Sequence, residues 1–257
     1  MPAGAAATVP SSGDEHGCAA GGEGMYFRDR IDAAGRLADA LGKWRGHRPL
    51  IAAIPRGAVP MGSVIAQRLG GDLDVVLTRK LHAPGSPEFA IGAVDETGWV
   101  YVADYAERAG ATSAYVQAQT VDELATIRRR RAQYTPDRPP IDPAGRIVIV
   151  VDDGLATGAT MIAALHALRG RKPARLICAV PVASREAVEK VRGCADEVVV
   201  LETPDAFFAV GQFYMRFDQV DDSEVIDVLR AAAAQPRGAA GAADSGPQSA
   251  PDAGGDP

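Results

Sequence analysis

Five consecutive β-branched residues, Ile147-Val148-Ile149-Val150-Val151, run directly into a pair of acids, Asp152-Asp153. A run of that kind marks a strand buried on both faces, which needs helices above and below it. The chain continues Gly154-Leu155-Ala156-Thr157-Gly158-Ala159-Thr160 and then enters an apolar-rich stretch of helical pattern, Ala159–Arg169. Strand, acidic pair, short Thr/Gly loop and helix therefore follow one another within about two dozen residues.

The flanking sequence repeats the alternation. Phe27–Trp44 carries Ile31, Ala34, Leu37, Ala38 and Leu41 at helical spacing. Leu50–Ile54 is a short apolar strand broken by Pro55-Arg56-Gly57, Val59–Leu69 a helix and Asp74–Leu77 a strand. Arg79–Gly98, rich in Gly, Pro and polar residues, reads as a long loop, with Trp99–Ala103 a strand after it. Thr112–Tyr134 reads as a long helix ending in Arg128–Arg131. Leu176–Val180, Glu186–Arg192, Glu197–Leu201 and Ser223–Ala233 complete the series as strand, helix, strand and helix. This order predicts an α/β fold: a doubly wound, mostly parallel sheet flanked by helices. Residues 1–24 and 234–257 are Ala-, Gly-, Ser- and Pro-rich and cannot bury enough surface to offset their ordering entropy. They are expected to be disordered tails around one domain, 25–233.

The loop after the acids has a chemical use. Ligands of open parallel sheets bind beyond the carboxyl ends of the strands. The turn Thr157-Gly158-Ala159-Thr160 offers backbone N–H groups at a helix start, where amides and helix dipole together favour an anion. Gly158 lets a phosphate approach the backbone closely, and the two threonine hydroxyls are further donors. Asp152 and Asp153 repel phosphate, so a sugar diol or a hydrated magnesium ion suits them better. A monoester beside a diol is the outline of a ribose 5-phosphate. The plainer alternative is an Asp helix cap before an ordinary turn. No G-x-x-x-x-G-K-[ST] is present and the loop has no Lys. No G-x-G-x-x-G opens a helix after a strand, so neither a nucleoside-triphosphatase loop nor a dinucleotide fingerprint is supported.

The stretch V-V-D-D-G-L-A-T-G-A-T resembles the phosphoribosyl-pyrophosphate motif of type I phosphoribosyltransferases, with particular similarity to the adenine branch. The resemblance extends over roughly Tyr26 to Ala233. It implies that Asp152 and Asp153 contact the ribose hydroxyls, directly or through magnesium, and that Ala156, Thr157, Gly158, Ala159 and Thr160 hold the 5-phosphate. It also implies a flexible loop and a small hood over the base. In the hypoxanthine–guanine branch an acid proposed as general base stands where this chain has Ala156, which cannot take a proton.

Further segments acquire roles from the same resemblance. Ile54-Pro55-Arg56-Gly57-Ala58 resembles the pyrophosphate loop, whose non-proline peptide is often cis; Arg56 and Gly57 are its candidates, Arg56 as a bidentate donor. Thr78-Arg79-Lys80 lies at a strand end where the family places a cation on pyrophosphate. Leu81–Gly98 resembles the loop that closes over the reacting sugar and excludes water. Glu88 is its candidate for proton transfer or charge stabilisation, Phe89 for an anchor, and His82 is a further candidate. Phe207, Phe208, Phe213, Tyr214 and Phe217 either stack on a base or belong to the core. Arg128–Arg131 is most simply a solvated helix end.

A net charge of −6 provides no general attraction to nucleic acid or an anionic membrane. No stretch approaches the ~18 apolar residues of a membrane span, and no secretory signal opens the chain. Cys18, Cys178 and Cys194 lack C-x-x-C spacing, arguing against zinc and for a reducing cytoplasm. The sequence thus predicts a cytoplasmic, magnesium-dependent transferase of 5-phosphoribosyl-1-pyrophosphate and a nucleobase-like acceptor, with a homodimer as a possible state. The alternatives are a regulatory protein that binds the same ligand without turnover, and a phosphatase or hydrolase acting on a phosphorylated nucleoside, which no His cluster or second acidic group at metal-ligand spacing supports.

Overall fold

The computed structural model describes residues 27–136 and 138–234; the tails expected at 1–24 and 234–257 lie outside them except for Ala234, which ends a helix. In chain order the elements are α1 (Arg30–Ala40), β1 (Leu50–Ala53), α2 (Ala58–Leu69), β2 (Asp72–Val75), β3 (Thr78–Ala83), β4 (Ser86–Asp95), β5 (Val100–Val102), α3 (Ser113–Tyr134), β6 (Ile147–Val151), α4 (Ala159–Arg169), β7 (Arg175–Val182), α5 (Arg185–Arg192), β8 (Glu197–Glu202) and α6 (Asp222–Ala234). Five strands form one sheet in the order β2-β1-β6-β7-β8, every pair parallel. This is the doubly wound α/β sheet that the alternation predicts.

Burial on both faces explains why the strands read as solid apolar runs. Side chains alternate across a strand. Ile149 and Val151 join Ile51, Ala53, Ile177 and Ala179 in the core under α1, α2 and α6. Val148 and Val150 join Leu50, Ala52, Cys178 and Val180 under α4 and α5. Local chemistry sets the helix starts. Asp29 caps α1, accepting the N–H of Ile31 at 3.0 Å and of Asp32 at 2.9 Å. Thr112 caps α3, and Ser184 caps α5 through the Ala187 N–H at 3.1 Å.

Two regions differ from expectation. Arg79–Gly98 is not a long loop: β3 and β4 form an antiparallel hairpin with β5 added at its edge. Its Gly and Pro content hid the strands. Gly92, which reads as a breaker, sits where the backbone of Tyr101 on β5 comes too close for any Cβ. The hairpin packs on α4 through Ala93 against Ala159 and Ala163. The segment expected to close over a sugar is therefore largely strand. Second, Arg131 is not a solvated helix-end cation. It turns inward from α3, pairing with Asp74 at 3.3 Å and with Glu96, and donating to the Val75 carbonyl at 2.9 Å. Among the described residues no helix is long and apolar enough to cross a membrane.

Candidate functional site

The chain leaves β1 through α2 toward β2 on one side and leaves β6 through α4 toward β7 on the other. Between β1 and β6 lies the point where the winding reverses, the position at which sheets of this kind leave a crevice beyond their strand ends. Ala53 stands in register with Val151, so Ile54–Gly57 and Asp152–Thr160 open side by side. They line one cleft of about 270 Å³. Its wall contains Arg56, Gly57, Lys80, Asp152, Asp153, Ala156, Thr157, Gly158 and Thr160. Ala159 is not in it; its methyl is buried against Ala93.

The anion loop is fixed from behind. The Leu155 N–H donates to the Val182 carbonyl at 2.9 Å and the Ser184 N–H to the Leu155 carbonyl at 2.9 Å. The Ser184 hydroxyl donates to the Ala156 carbonyl at 2.8 Å. Gly158, with φ +79°, turns the chain into α4 and provides no side-chain cap. The first-turn amides of α4 are thus left for a ligand at the positive end of the helix. Opposite, the Pro55–Arg56 peptide is cis, as in the loop that the sequence resembles. The Arg56 guanidinium lies 4.0 Å from Asp222 at the start of α6.

The two acids are not equivalent. Asp152 Oδ1 accepts the Asp153 N–H at 2.9 Å. Asp153 Oδ2 accepts both Nε and Nη2 of Arg30, at 2.9 and 2.8 Å. Among the described residues no donor reaches Asp152 Oδ2 or Asp153 Oδ1. Burial pushes the Asp152 carboxyl well above the usual carboxylate range, and the neighbouring Asp153 charge adds to this. Burial also raises Asp153, against the Arg30 charge. Tyr214 donates to the Asp153 carbonyl at 2.6 Å, and its own phenol is pushed up by burial.

Other expected residues are placed differently. Lys80 faces the cleft, but Arg79, one residue back on β3, faces the other way and pairs with Glu123 on α3 at 2.6 Å. Glu88 is exposed on β4 and is not among the cleft residues. Phe89 packs beside Tyr105, ring centres 5.5 Å apart. The His82 backbone binds Gln119 and Tyr115 on α3. Of the five clustered rings, Phe213 and Tyr214 are buried in the core, and Phe207 packs on Phe213. Phe217 lies under Arg30, with the guanidinium 3.8 Å from its ring centre, and Phe208 alone is almost fully exposed. Sequence reasoning missed Arg30: it sits 123 positions from its partner, and a single Arg in the first turn of a helix reads as solvated. Val210, another cleft residue, carried no chemical signal.

The family described as phosphoribosyl transferase domain matches residues 28–218. Two Mycobacterium tuberculosis proteins, from strains CDC 1551 and H37Rv, carry provisional names as phosphoribosyl transferases. Each is 39% identical to this chain over 204 residues, which cover 79% of it and 46% of the relative. The chain thus spans about half the length of the curated relatives it matches. Among solved structures, TT1426 from Thermus thermophilus is 45% identical with a TM-score of 0.68, covering 80% of this chain and 98% of that one.

Proposed function

Because the chain belongs to the phosphoribosyl transferase domain family, we propose that it transfers ribose 5-phosphate from 5-phosphoribosyl-1-pyrophosphate to a nitrogenous base and releases pyrophosphate. One observation carries the reading: a single cleft at the sheet's switch point sets two carboxylates, each with one oxygen that no donor among the described residues reaches, beside uncapped helix amides. The amides of Thr157–Thr160 suit a monoester dianion. The free oxygens of Asp152 and Asp153 suit the two O–H donors of a cis-diol.

The donor set also fits magnesium. Magnesium is commonly held by one or two carboxylates together with substrate phosphates rather than by a protein cage. Among the described residues no group of three or more His, Cys, Asp or Glu is assembled; Asp152 and Asp153 would be the protein's share. When bound, the ion would neutralise charge on the diphosphate. Lys80 and Arg56 flank the leaving group; Arg56 must turn from Asp222 to reach it. The acceptor nitrogen bonds to the anomeric carbon as the bond to the diphosphate oxygen breaks, its electron pair leaves with pyrophosphate, and the proton of the acceptor nitrogen passes to solvent. Positioning and charge stabilisation then supply the rate, with no covalent residue. Arg79 and Glu88 take no part in this scheme. A reducing cytoplasm belongs to the same proposal.

The test is pyrophosphate release from the donor with magnesium across a panel of bases. Release with at least one base, abolished by Asp152→Asn combined with Asp153→Asn, is expected. Unchanged transfer in that double variant, or donor binding without release for every base, would reject catalysis at this site.

A further inference from the structure

Arg30 does more than neutralise an acid. Both of its bonds to Asp153 go to Oδ2, its Nη1 donates to the Asp218 carbonyl, and its guanidinium plane rests on Phe217. Its side chain is mostly buried, and three separate parts of the chain hold it: α1, which carries it, the loop after β6, and the segment before α6. Asp153 is held at its other end too, where Tyr214 fixes the carbonyl. Space is tight as well: a Cβ at Gly57 would overlap Asp153 Oδ2 and lie 2.9 Å from Arg30 Nε. The carboxylate therefore cannot exchange its two oxygens freely. One is occupied, and the other is presented without a partner among the described residues.

We infer that Arg30 is a positioning residue that sets the selectivity of the site for a sugar with its hydroxyl pair intact, by fixing which oxygen of Asp153 is left to accept from the sugar. The inference rests on the ribosyl reading above. Its physical content is that a fixed charged acceptor penalises a ligand lacking the matching hydroxyl, whereas a mobile one finds water or another donor. A guanidinium makes two bonds to one oxygen and a third to a carbonyl in one plane. An ammonium cannot reproduce that fork.

Affinities for ribose 5-phosphate and 2-deoxyribose 5-phosphate, measured by calorimetry on the full chain with magnesium, give the test. The native protein should prefer ribose 5-phosphate by about 10- to 100-fold, the range expected for one hydrogen bond to a charged group. Arg30→Met should reduce the preference to about 2-fold, and Arg30→Lys should leave it in between. A merely structural Arg30 would lower the melting temperature and leave the ratio intact; that result overturns the inference and spares the ribosyl reading. Should Arg30→Met fail to fold, an unchanged ratio in Arg30→Lys overturns it equally. A native protein that binds neither sugar phosphate overturns both.

Discussion

Two groups of acid on the same sheet, one buried and one half-buried, are treated in opposite ways. Asp74, on the edge strand β2, is almost wholly buried, and both of its oxygens are occupied. Oδ1 accepts from its neighbour's N–H (Val75, 2.8 Å) and from Arg131 and Arg138, each at 3.3 Å. Oδ2 accepts from Arg138 at 3.2 Å and from the Ile141 N–H at 2.7 Å. Asp152 and Asp153, beyond β6, keep one oxygen each that no donor among the described residues reaches, and are pushed upward by burial. A buried carboxylate is costly unless paired and hydrogen-bonded. The saturated one ties elements together: β2, α3 and the segment before β6. The unsaturated pair is left short of partners where a ligand can complete it.

The contrast breaks most readily at Asp74. Asp74→Ala leaves Arg131 and Arg138 without their shared acid and frees the Ile141 N–H. Removing one partner of a buried pair typically costs about 3–5 kcal/mol, and urea unfolding should show a loss of that size. A loss below about 1 kcal/mol would mean that the network is ornamental and that saturation does not separate structural from ligand-binding acids.

Gly57→Ala comes next, at about 1–3 kcal/mol for overpacking. The added methyl must displace either Asp153 or Arg30. Stability should fall moderately while affinity for the ribosyl donor falls by at least about 10-fold, both followed on the same preparation by thermal melts and calorimetry. Equal affinity would show that Asp153 is free to move, and the distinction between the two acids at the site would lose its basis.

How far the sequence reveals this division depends on distance along the chain. Ile147–Val151 and Ala159–Arg169 are read to the residue because β-branching, burial and helical spacing act locally. The strand-end loops Pro55–Gly57 and Asp152–Thr160 were legible for the same reason: their composition is explained by their own backbone. Arg30, Arg131 and Arg138 were not, because what distinguishes them from solvated arginines is a partner 123, 57 or 64 residues away. The hairpin is not legible because Gly92 answers to the backbone of Tyr101 on the neighbouring strand, while Pro84 lies between β3 and β4 and Pro87 in the stretch where their pairing is irregular. Arg79 and Lys80 show the same limit at one-residue scale: the pair was visible, but which cation faces the cleft is decided by strand register.

The smallest effect expected is also the one with an opposite sign. Asp152 is held above the usual carboxylate range by burial and by Asp153, so the folded protein binds its proton more tightly than the unfolded chain. Such a group contributes its full stability below the ordinary carboxylate value and loses that contribution as pH rises through the raised native value. Asp152→Asn keeps an oxygen to accept the Asp153 N–H and removes the charge. Without ligand it should match the native protein near pH 4 and become the more stable of the two as pH rises to neutral. The same substitution should weaken donor binding, so stability and affinity move apart. Thermal melts across pH 4–8 would decide. A variant less stable at neutral pH would mean that Asp152 is as well satisfied as Asp74, leaving the cleft with no acid held in reserve for a ligand.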